Sequence, residues 1–363
     1  LNKKKVVVGM SGGVDSSVAA LLLKEQGFEV IGVTMQIWDS SDPCRTSREG
    51  GCCGQSAVED ARRVAGVLDI PYYVMDFREP FRKKVMDYFV EEYLGGRTPN
   101  PCIACNRYVK WESLLEKSMD LGADYIATGH YARIEKLANG RFTIRNSAAA
   151  AKDQTYALYN LTQFQLAHTL MPVGGYRKEE IRTLARRAGL PVADKPDSQE
   201  ICFIPDGDYA AFIDREAGDR VPGAGRFVDA GGRELGTSRG ITHYTVGQRR
   251  HLNLSLGHPV FVTEIRPETN EVVVGENDEV FSDTLRCAGL NFMAIDDLRG
   301  FCDAVGKIRY SHRGAPCRIT RTGEDEITAV FFERVRAVTP GQAAVFYDGE
   351  RILCGGTIIR DRK

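Results

Sequence analysis

The stretch VVVGMSGGVDSSVAALLL, residues 6–23, constrains the fold more than any other part of the chain. Its three valines read as a buried strand ending at Gly9, and the run beginning at Ser16 reads as a helix. Between them the loop SGGVDSS is built almost wholly of glycine, serine and aspartate. Such residues give up side-chain packing, which suits a backbone that must approach another group closely, most often a phosphate. Glycines let the amides wrap an anion, while Ser16 and Ser17 open the helix with N–H groups and hydroxyls directed at one place. An ordinary turn into a helix needs a single capping residue. No lysine follows Gly13, so this is not the GxxxxGK[ST] loop, and it is not a GxGxxG dinucleotide fingerprint either.

The same alternation continues downstream. Strands are expected at 6–9, 30–35, 72–75 and 125–128, with helices at 16–26 (closed by Gly27), 58–68, 81–94 and 108–121. Short strands with helical crossovers mean a doubly wound α/β domain on a parallel sheet. Ligands of such sheets sit at the carboxyl ends of the strands. Ser11-Gly12-Gly13, Met35 and Gly129-His130 all lie just past strand ends, so they are expected to line one crevice. The helical rhythm stops near residue 215. Residues 221–257 are glycine-rich with short β runs, and from 260 onward strands are expected at 260–265, 271–274, 304–308, 317–320, 327–332, 342–346 and 352–359. That tail reads as a small antiparallel β-barrel. The hinge falls between 205 and 223, giving domains at 1–210, 211–278 (a small glycine-rich β linker domain) and 279–363.

A chain of 363 residues is too long for one simple core, and 43% hydrophobic with 27% charged residues is a soluble globular composition. No apolar run reaches the roughly 18 residues that span a bilayer. The basic start LNKKK precedes only three valines, too few for a signal-peptide core, so a cytoplasmic location without membrane association is expected. Net charge is −1, which leaves nucleic-acid binding to local patches such as Arg62-Arg63, Lys83-Lys84, Arg186-Arg187 and Arg249-Arg250. Ten cysteines in such a chain point to thiol chemistry, metal or buried small hydrophobes.

In TPNPCIACNRYVKW (98–111), Asn100 suits a helix N-cap and Pro101 its first position, which puts Cys102 and Cys105 one turn apart on one face. A helix N-terminus lowers a thiol's pKa. The CxxC spacing alone admits a redox pair, metal ligands or a nucleophile. In DSQEICFIP (197–205), Cys202 lies in a short apolar run, which by itself suits core as well as chemistry. Cys44, Cys52 and Cys53 flank a glycine-rich loop and read as structural thiols, while Cys287, Cys302, Cys317 and Cys354 lack ligand spacing and read as core or surface.

The loop resembles the pyrophosphate loop of the ATP pyrophosphatase (PP-loop) superfamily, whose members split ATP into AMP and pyrophosphate. That resemblance implies that Gly9, Met10, Ser11, Gly12, Gly13, Val14, Asp15, Ser16 and Ser17 bind ATP. Met35 and Gly129 would lie near adenine and ribose, and Asp15 would help hold Mg²⁺. The loop, NPCIACNRYVKW, ATGHYAR (127–133), KDQTYAL (152–158), KPDSQEICF (195–203), YTVGQRR (244–250) and VTPGQAAVFY (338–347) follow the order found in the tRNA-specific 2-thiouridylase family, nearly end to end. The resemblance implies ATP-dependent 2-thiolation of the tRNA wobble uridine, with Cys202 carrying a persulfide and Cys105 as the partner thiol that closes a disulfide with it. By the same resemblance Asn100, Pro101 and Cys102 meet a target base that has left its stack. His130, Lys152, Asp153, Gln154, Arg309, Tyr310 and Gln342 match tRNA-contacting positions. A sulfur-donor protein, either a cysteine desulfurase or a sulfur relay protein, is implied as a partner.

Many members of that family carry aspartate where this chain has Cys102. The extra thiol opens a second route, in which Cys102, Cys105 and Cys202 ligate a [4Fe–4S] cluster, although persulfide chemistry is the favoured expectation. Two other classes compete. One is another AMP-forming PP-loop ligase or amidotransferase acting on a small molecule, and the other is a non-enzymatic RNA-binding or redox module.

Overall fold

The computed structural model describes residues 3–37, 55–197 and 201–360, so the thiols at Cys44, Cys52 and Cys53 lie outside the described residues. The chain forms two compact units. One is built from residues 1–85, 102–207 and 350–352, the other from 86–101, 208–349 and 353–363.

In the first unit, β1 (Lys5–Gly9) leads through the glycine loop into α1 (Val14–Glu25), and β2 (Glu29–Gln36), α2 (Gln55–Leu68) and β3 (Tyr72–Asp76) follow. Val6, Val7 and Val8 are buried, as a strand covered on both faces requires. The chain returns in β4 (Tyr125–Ala127), makes an antiparallel hairpin of β5 (Ala132–Lys136) and β6 (Phe142–Asn146), and adds the short β7 (Thr169–Leu170). The main sheet is parallel throughout, in the order β3-β2-β1-β4-β7. From β1 the chain first winds towards β3 and then resumes on the other side with β4. The order therefore reverses between β1 and β4, the position at which open α/β sheets bind ligands.

α1 buries Val14, Val18, Ala19, Leu22 and Leu23 in the same core as Ile181 and Ala185 of α3 (Lys178–Arg187). Fully burying each large aliphatic side chain contributes about 1.5–3 kcal/mol. α1 starts at Val14, two residues before the expected start. The helix expected at 108–121 begins at Pro101, with Asn100 at the capping position. It continues from Pro101–Ala104 through wide π-type turns at Cys105–Leu114 into Leu115–Asp120. The helix expected at 81–94 is instead Arg78–Phe81, π-type turns at Arg82–Asp87, and Tyr88–Leu94.

In the second unit, α4 (Tyr209–Ala217) is capped by Asp208, whose carboxylate accepts the Ala211 N–H at 3.0 Å. A four-stranded sheet of β8 (Gly225–Val228), β9 (Glu234–Ser238), β10 (Phe261–Arg266) and β11 (Glu271–Gly275) follows, in the order β10-β11-β8-β9. The tail forms β12 (Phe281–Phe292), β13 (Phe301–Lys307), β14 (Ala315–Gly323), β15 (Glu326–Arg336), β16 (Ala343–Asp348) and β17 (Arg351–Ile359). Their order is β12-β15-β14-β13-β16-β17, and β12 also pairs with β17, so the barrel is closed and has no free edge. The expected barrel is present. β12 escapes sequence reading because irregularities at Ser282/Thr284 and Ala288/Asn291 break its alternation.

Candidate active site

β1 delivers the chain to the loop at its carboxyl end. Gly12 adopts φ +67, and a Cβ there would lie 2.7 Å from Ala57 Cα, so only glycine fits. Gly13 occupies the N-cap of α1 without any side-chain capping bond. The serine hydroxyls turn back on the loop: Ser16 Oγ and Ser17 Oγ donate to Gly13 O at 3.2 and 2.8 Å, and Ser16 Oγ accepts the Ser11 N–H at 3.2 Å. The hydroxyls thus brace the loop, while the first-turn amides keep the positive end of the helix uncapped for an anion. Met10 and Val14 are buried side chains, and the Met10 backbone is itself engaged, its N–H donating to Val33 O at 2.8 Å and its carbonyl accepting from Thr34 Oγ1 at 2.8 Å.

The loop after β4 meets α1 from the other side of the switch point. A Cβ on Gly129 would lie 2.5 Å from Ser16 N and 2.6 Å from Asp15 C, so the two loops touch backbone to backbone. Met35, near the end of β2, is half-buried opposite Met75 of β3.

A charge network surrounds this contact. Both Asp15 oxygens accept from Lys178 Nζ at 2.8 Å, and Oδ1 also accepts the Tyr131 hydroxyl at 2.7 Å. Lys178 Nζ lies 2.7 Å from Asp197 Oδ1, and Lys152 Nζ donates to Asp197 Oδ2 at 2.8 Å. Burial works against ionising Asp197, but its bonds to Lys152 and Lys178 outweigh that and hold its carboxyl below the usual range. Lys195 Nζ donates to Gly12 O at 3.1 Å and to Asp60 Oδ2 at 2.6 Å.

Cys102 is exposed, and Cys105 is half-buried where the π-type turns begin. The rest of that motif is structural. Asn106, buried, donates to Ala157 O at 2.9 Å and accepts from Lys110 Nζ at 2.9 Å, while Trp111 Nε1 donates to Thr169 Oγ1 at 2.8 Å. Cys202 is half-buried, and its neighbour Phe203 packs edge-on against Phe81 with ring centroids 5.9 Å apart. The short helix of Phe81 in turn touches the turns that begin at Cys105, so the Cys202 segment reaches that side of the helix.

Three family models tile the chain. The tRNA methyl transferase HUP domain matches residues 4–206, the tRNA methyl transferase PRC-barrel domain 210–276, and the Aminomethyltransferase beta-barrel domain 282–358. A protein of Lachnoclostridium phytofermentans described as tRNA-specific 2-thiouridylase MnmA is 62% identical over 357 residues, covering 98% of this chain and 100% of its own. The chain belongs to the tRNA-specific 2-thiouridylase family. Two further relatives of the same description are similar over nearly their whole length. The protein of Clostridium kluyveri is 56% identical, covering 98% of this chain and 99% of its own, and that of Carboxydothermus hydrogenoformans is 54% identical, covering 99% and 98%.

Among the positions expected from the sequence to meet tRNA, several hold the fold in this structure. Asp153 accepts from Ser147 N at 2.9 Å and from the Thr155 hydroxyl at 2.6 Å, and Gln154 Oε1 accepts from Tyr131 N at 2.9 Å. His130 Nδ1 pairs with Thr128 Oγ1 at 2.7 Å, and its ring lies 5.4 Å from that of Trp111. Loss of solvent, with a smaller push from the Lys110 charge, drives the His130 pKa well below its usual value. In the second unit Tyr310 is exposed and Arg309 Nη1 donates to Arg336 O at 2.7 Å. Gln342 Nε2 donates to Thr98 O at 2.8 Å, and Thr98 N donates to Pro340 O at 2.8 Å. The VTPGQ turn therefore grips the segment that leads into Asn100 and the buried Pro101.

Sequence reasoning missed Tyr131, Lys178, Lys195 and Asp197. Lys195 and Asp197 flank Pro196 as a charged pair, which was the available signal, whereas Tyr131 lies in ATGHYAR with no such sign and Lys178 opens an unremarkable amphipathic helix. Mg²⁺ commonly takes one or two carboxylates and completes its octahedron with phosphate and water oxygens. Asp15 fits that donor set provided Lys178 releases it, and Asp197 stands ready to hold the ammonium. Among the described residues, which include Cys102, Cys105 and Cys202, no three His, Cys, Asp or Glu side chains are grouped to hold a metal.

Proposed function

We propose that this protein is a tRNA-uridine 2-sulfurtransferase that uses ATP to thiolate the wobble uridine of tRNA. The observation that carries the reading is the 62% identity to a described 2-thiouridylase over essentially both whole chains. The HUP and PRC-barrel models carry methyl transferase in their descriptions, but each matches one segment, whereas the thiouridylase relatives match from end to end. The uncapped amides at the switch point support ATP binding by residues 9–17, with Met35 and Gly129 beside the nucleoside.

In the first step the uridine C2 oxygen attacks the α-phosphorus of ATP, and pyrophosphate leaves. Magnesium, held by Asp15, would neutralise phosphate charge. In the second step the terminal sulfur of a persulfide on Cys202 attacks C2 and expels AMP. The Cys105 thiolate then attacks the Cys202 sulfur. The bond to the base-borne sulfur breaks, its electron pair stays on the 2-thio group, and a Cys105–Cys202 disulfide forms. A thiol reductant restores the pair, and a cysteine desulfurase or sulfur relay protein reloads Cys202. Cys102 carries no sulfur in this route and lies with Asn100 and Pro101 at the target base. Asn100, Pro101, His130, Lys152, Arg309, Tyr310 and Gln342 belong to the tRNA-binding surface in this reading, with domain limits after residues 210 and 278. The spans of the three family models support those limits. No helix among the described residues is long and apolar enough to cross a membrane, and the reading places the reaction in the cytoplasm.

Mass spectrometry of tRNA nucleosides from cells with and without the protein tests the reading. Loss of 2-thiouridine at the wobble position is expected. Unchanged 2-thiouridine would sink it, and AMP formation dependent on a small acid rather than tRNA would turn it into the ligase or amidotransferase alternative.

A further inference from the structure

The phosphate loop has no cation of its own, because SGGVDSS contains neither lysine nor arginine and carries Asp15. A polyanion at a helix N-terminus gains only about half an elementary charge from the helix dipole. The structure brings a cation from far along the chain. Lys195, 183 residues beyond Gly12, places its ammonium 3.1 Å from the Gly12 carbonyl.

Three contacts hold it there. Asp60 on α2 accepts at 2.6 Å, and α2 is the helix whose Ala57 lies against Gly12. Asp60 is largely buried and also pairs with Arg63. Burial opposes its ionisation, but Lys195 and Arg63 more than offset this and keep it a carboxylate. On the other flank, Arg182 donates to Ala193 O at 2.7 Å and to Lys195 O at 3.0 Å, which fixes the backbone that presents the side chain.

The Gly12 carbonyl and the Gly13 N–H belong to one planar trans peptide and point in opposite directions. Gly13 is the N-cap of α1, at the mouth of the anion site. A cation on one end of a peptide dipole strengthens donation from the other end, as in any chain of polarised hydrogen bonds.

We propose that Lys195 is a positioning residue for the phosphates of the nucleotide, acting from behind the loop through the Gly12–Gly13 peptide. Lys195 supplies the positive charge that the loop lacks, and it makes Gly13 N–H a stronger donor towards the β- and γ-phosphates. The ligand class is pyrophosphate and the nucleoside triphosphate that carries it, not AMP. Lys195 also starts the segment 195–203 that runs to Cys202, so the residue that braces the loop lies on the same stretch as the sulfur carrier. This inference rests on the ATP-binding reading of the loop.

Calorimetric titration of the full chain with ATP, pyrophosphate and AMP tests it. Lys195→Met is expected to weaken ATP and pyrophosphate binding about tenfold, the loss of one charge-assisted interaction. AMP binding stays within about twofold, and Lys195→Arg, which keeps the charge, restores most of the loss. A merely structural lysine would lower all three affinities together, and that result overturns the proposal. So does a folded Lys195→Met that binds pyrophosphate as tightly as the parent protein. If the unsubstituted protein bound neither ATP nor pyrophosphate, the loop reading itself would fall, and this inference with it.

Discussion

Cys105 and Cys202 stand half-buried in the parallel-sheet unit, with Cys102 exposed nearby in sequence, whereas Cys287, Cys317 and Cys354 are buried in the barrel. Burial pushes the Cys287 and Cys317 thiols up to about 12 and raises that of Cys354 as well. A thiol is a nucleophile only as thiolate, so the barrel set is silent at neutral pH whatever its number. The first set differs in surroundings, with Cys105 four residues after the Pro101 that opens its helix and Cys202 next to a ring that packs on Phe81. Cys302 on β13 is half-buried like Cys105 and Cys202, yet burial still raises its thiol pKa, so exposure alone does not mark a reactive cysteine in this chain.

The largest expected effect breaks the comparison most simply. Cys105→Ser and Cys202→Ser each lower 2-thiouridine formation by about a thousandfold or more, as loss of a nucleophile does, and single alanine substitutions at Cys287, Cys317 or Cys354 leave it within about twofold. A barrel variant as inactive as Cys202→Ser would erase the distinction. A second test separates adenylation from sulfur transfer. Asp15→Ala abolishes tRNA-dependent pyrophosphate release, while Cys202→Ser retains it; equal loss in both would tie the thiols to the first step. Cys102 falls between the sets, and Cys102→Ser is expected to cost about threefold to tenfold in rate with no change in bound iron, read by turnover and metal analysis.

Smaller effects sharpen the contrast in stability. Each buried barrel thiol replaced by alanine costs about 1–2 kcal/mol of unfolding free energy through the void it leaves, whereas Cys102→Ala costs less than about 0.5 kcal/mol. His130 offers a pH test of the same desolvation at the loop end. Its folded pKa lies well below the ordinary 6.5, so the unfolded chain takes up the proton first. That contribution is complete above pH 6.5 and is lost as pH falls from there towards the folded pKa, at up to about 1.4 kcal/mol per pH unit. Between pH 6.5 and 5, His130→Gln should show the shallower loss in denaturant unfolding, and parallel curves would contradict the assignment.

The glycine loop was legible because a backbone turned at positive φ hard against α2 leaves no choice at Gly12, and that constraint is local. The parallel sheet followed from the valine-rich strands, and the closed barrel from the alternation read from residue 260 onward, although its first two strands, β10 and β11, joined the four-stranded sheet instead. β12 was not legible because two irregularities and scattered polar residues hide its period, and the β5–β6 hairpin was lost among charged residues. The charge network was out of reach for another reason. Lys178 meets Asp15 across 163 residues, and Lys195 meets Gly12 across 183. Such partners are chosen by the folded core that joins α1 to α3, not by any spacing in the chain. Gln342 shows the converse: its motif was noticed, but its amide grips Thr98, a role only the folded second unit reveals.

The most direct measurement of the central claim follows products and sulfur together. Purified protein is given unmodified tRNA, ATP and a persulfide donor, and AMP, pyrophosphate and 2-thiouridine are quantified in one reaction. The account predicts one AMP and one pyrophosphate for each 2-thiouridine, with all three lost when tRNA is omitted. Release of ADP and phosphate, or 2-thiouridine formed without AMP, would contradict it.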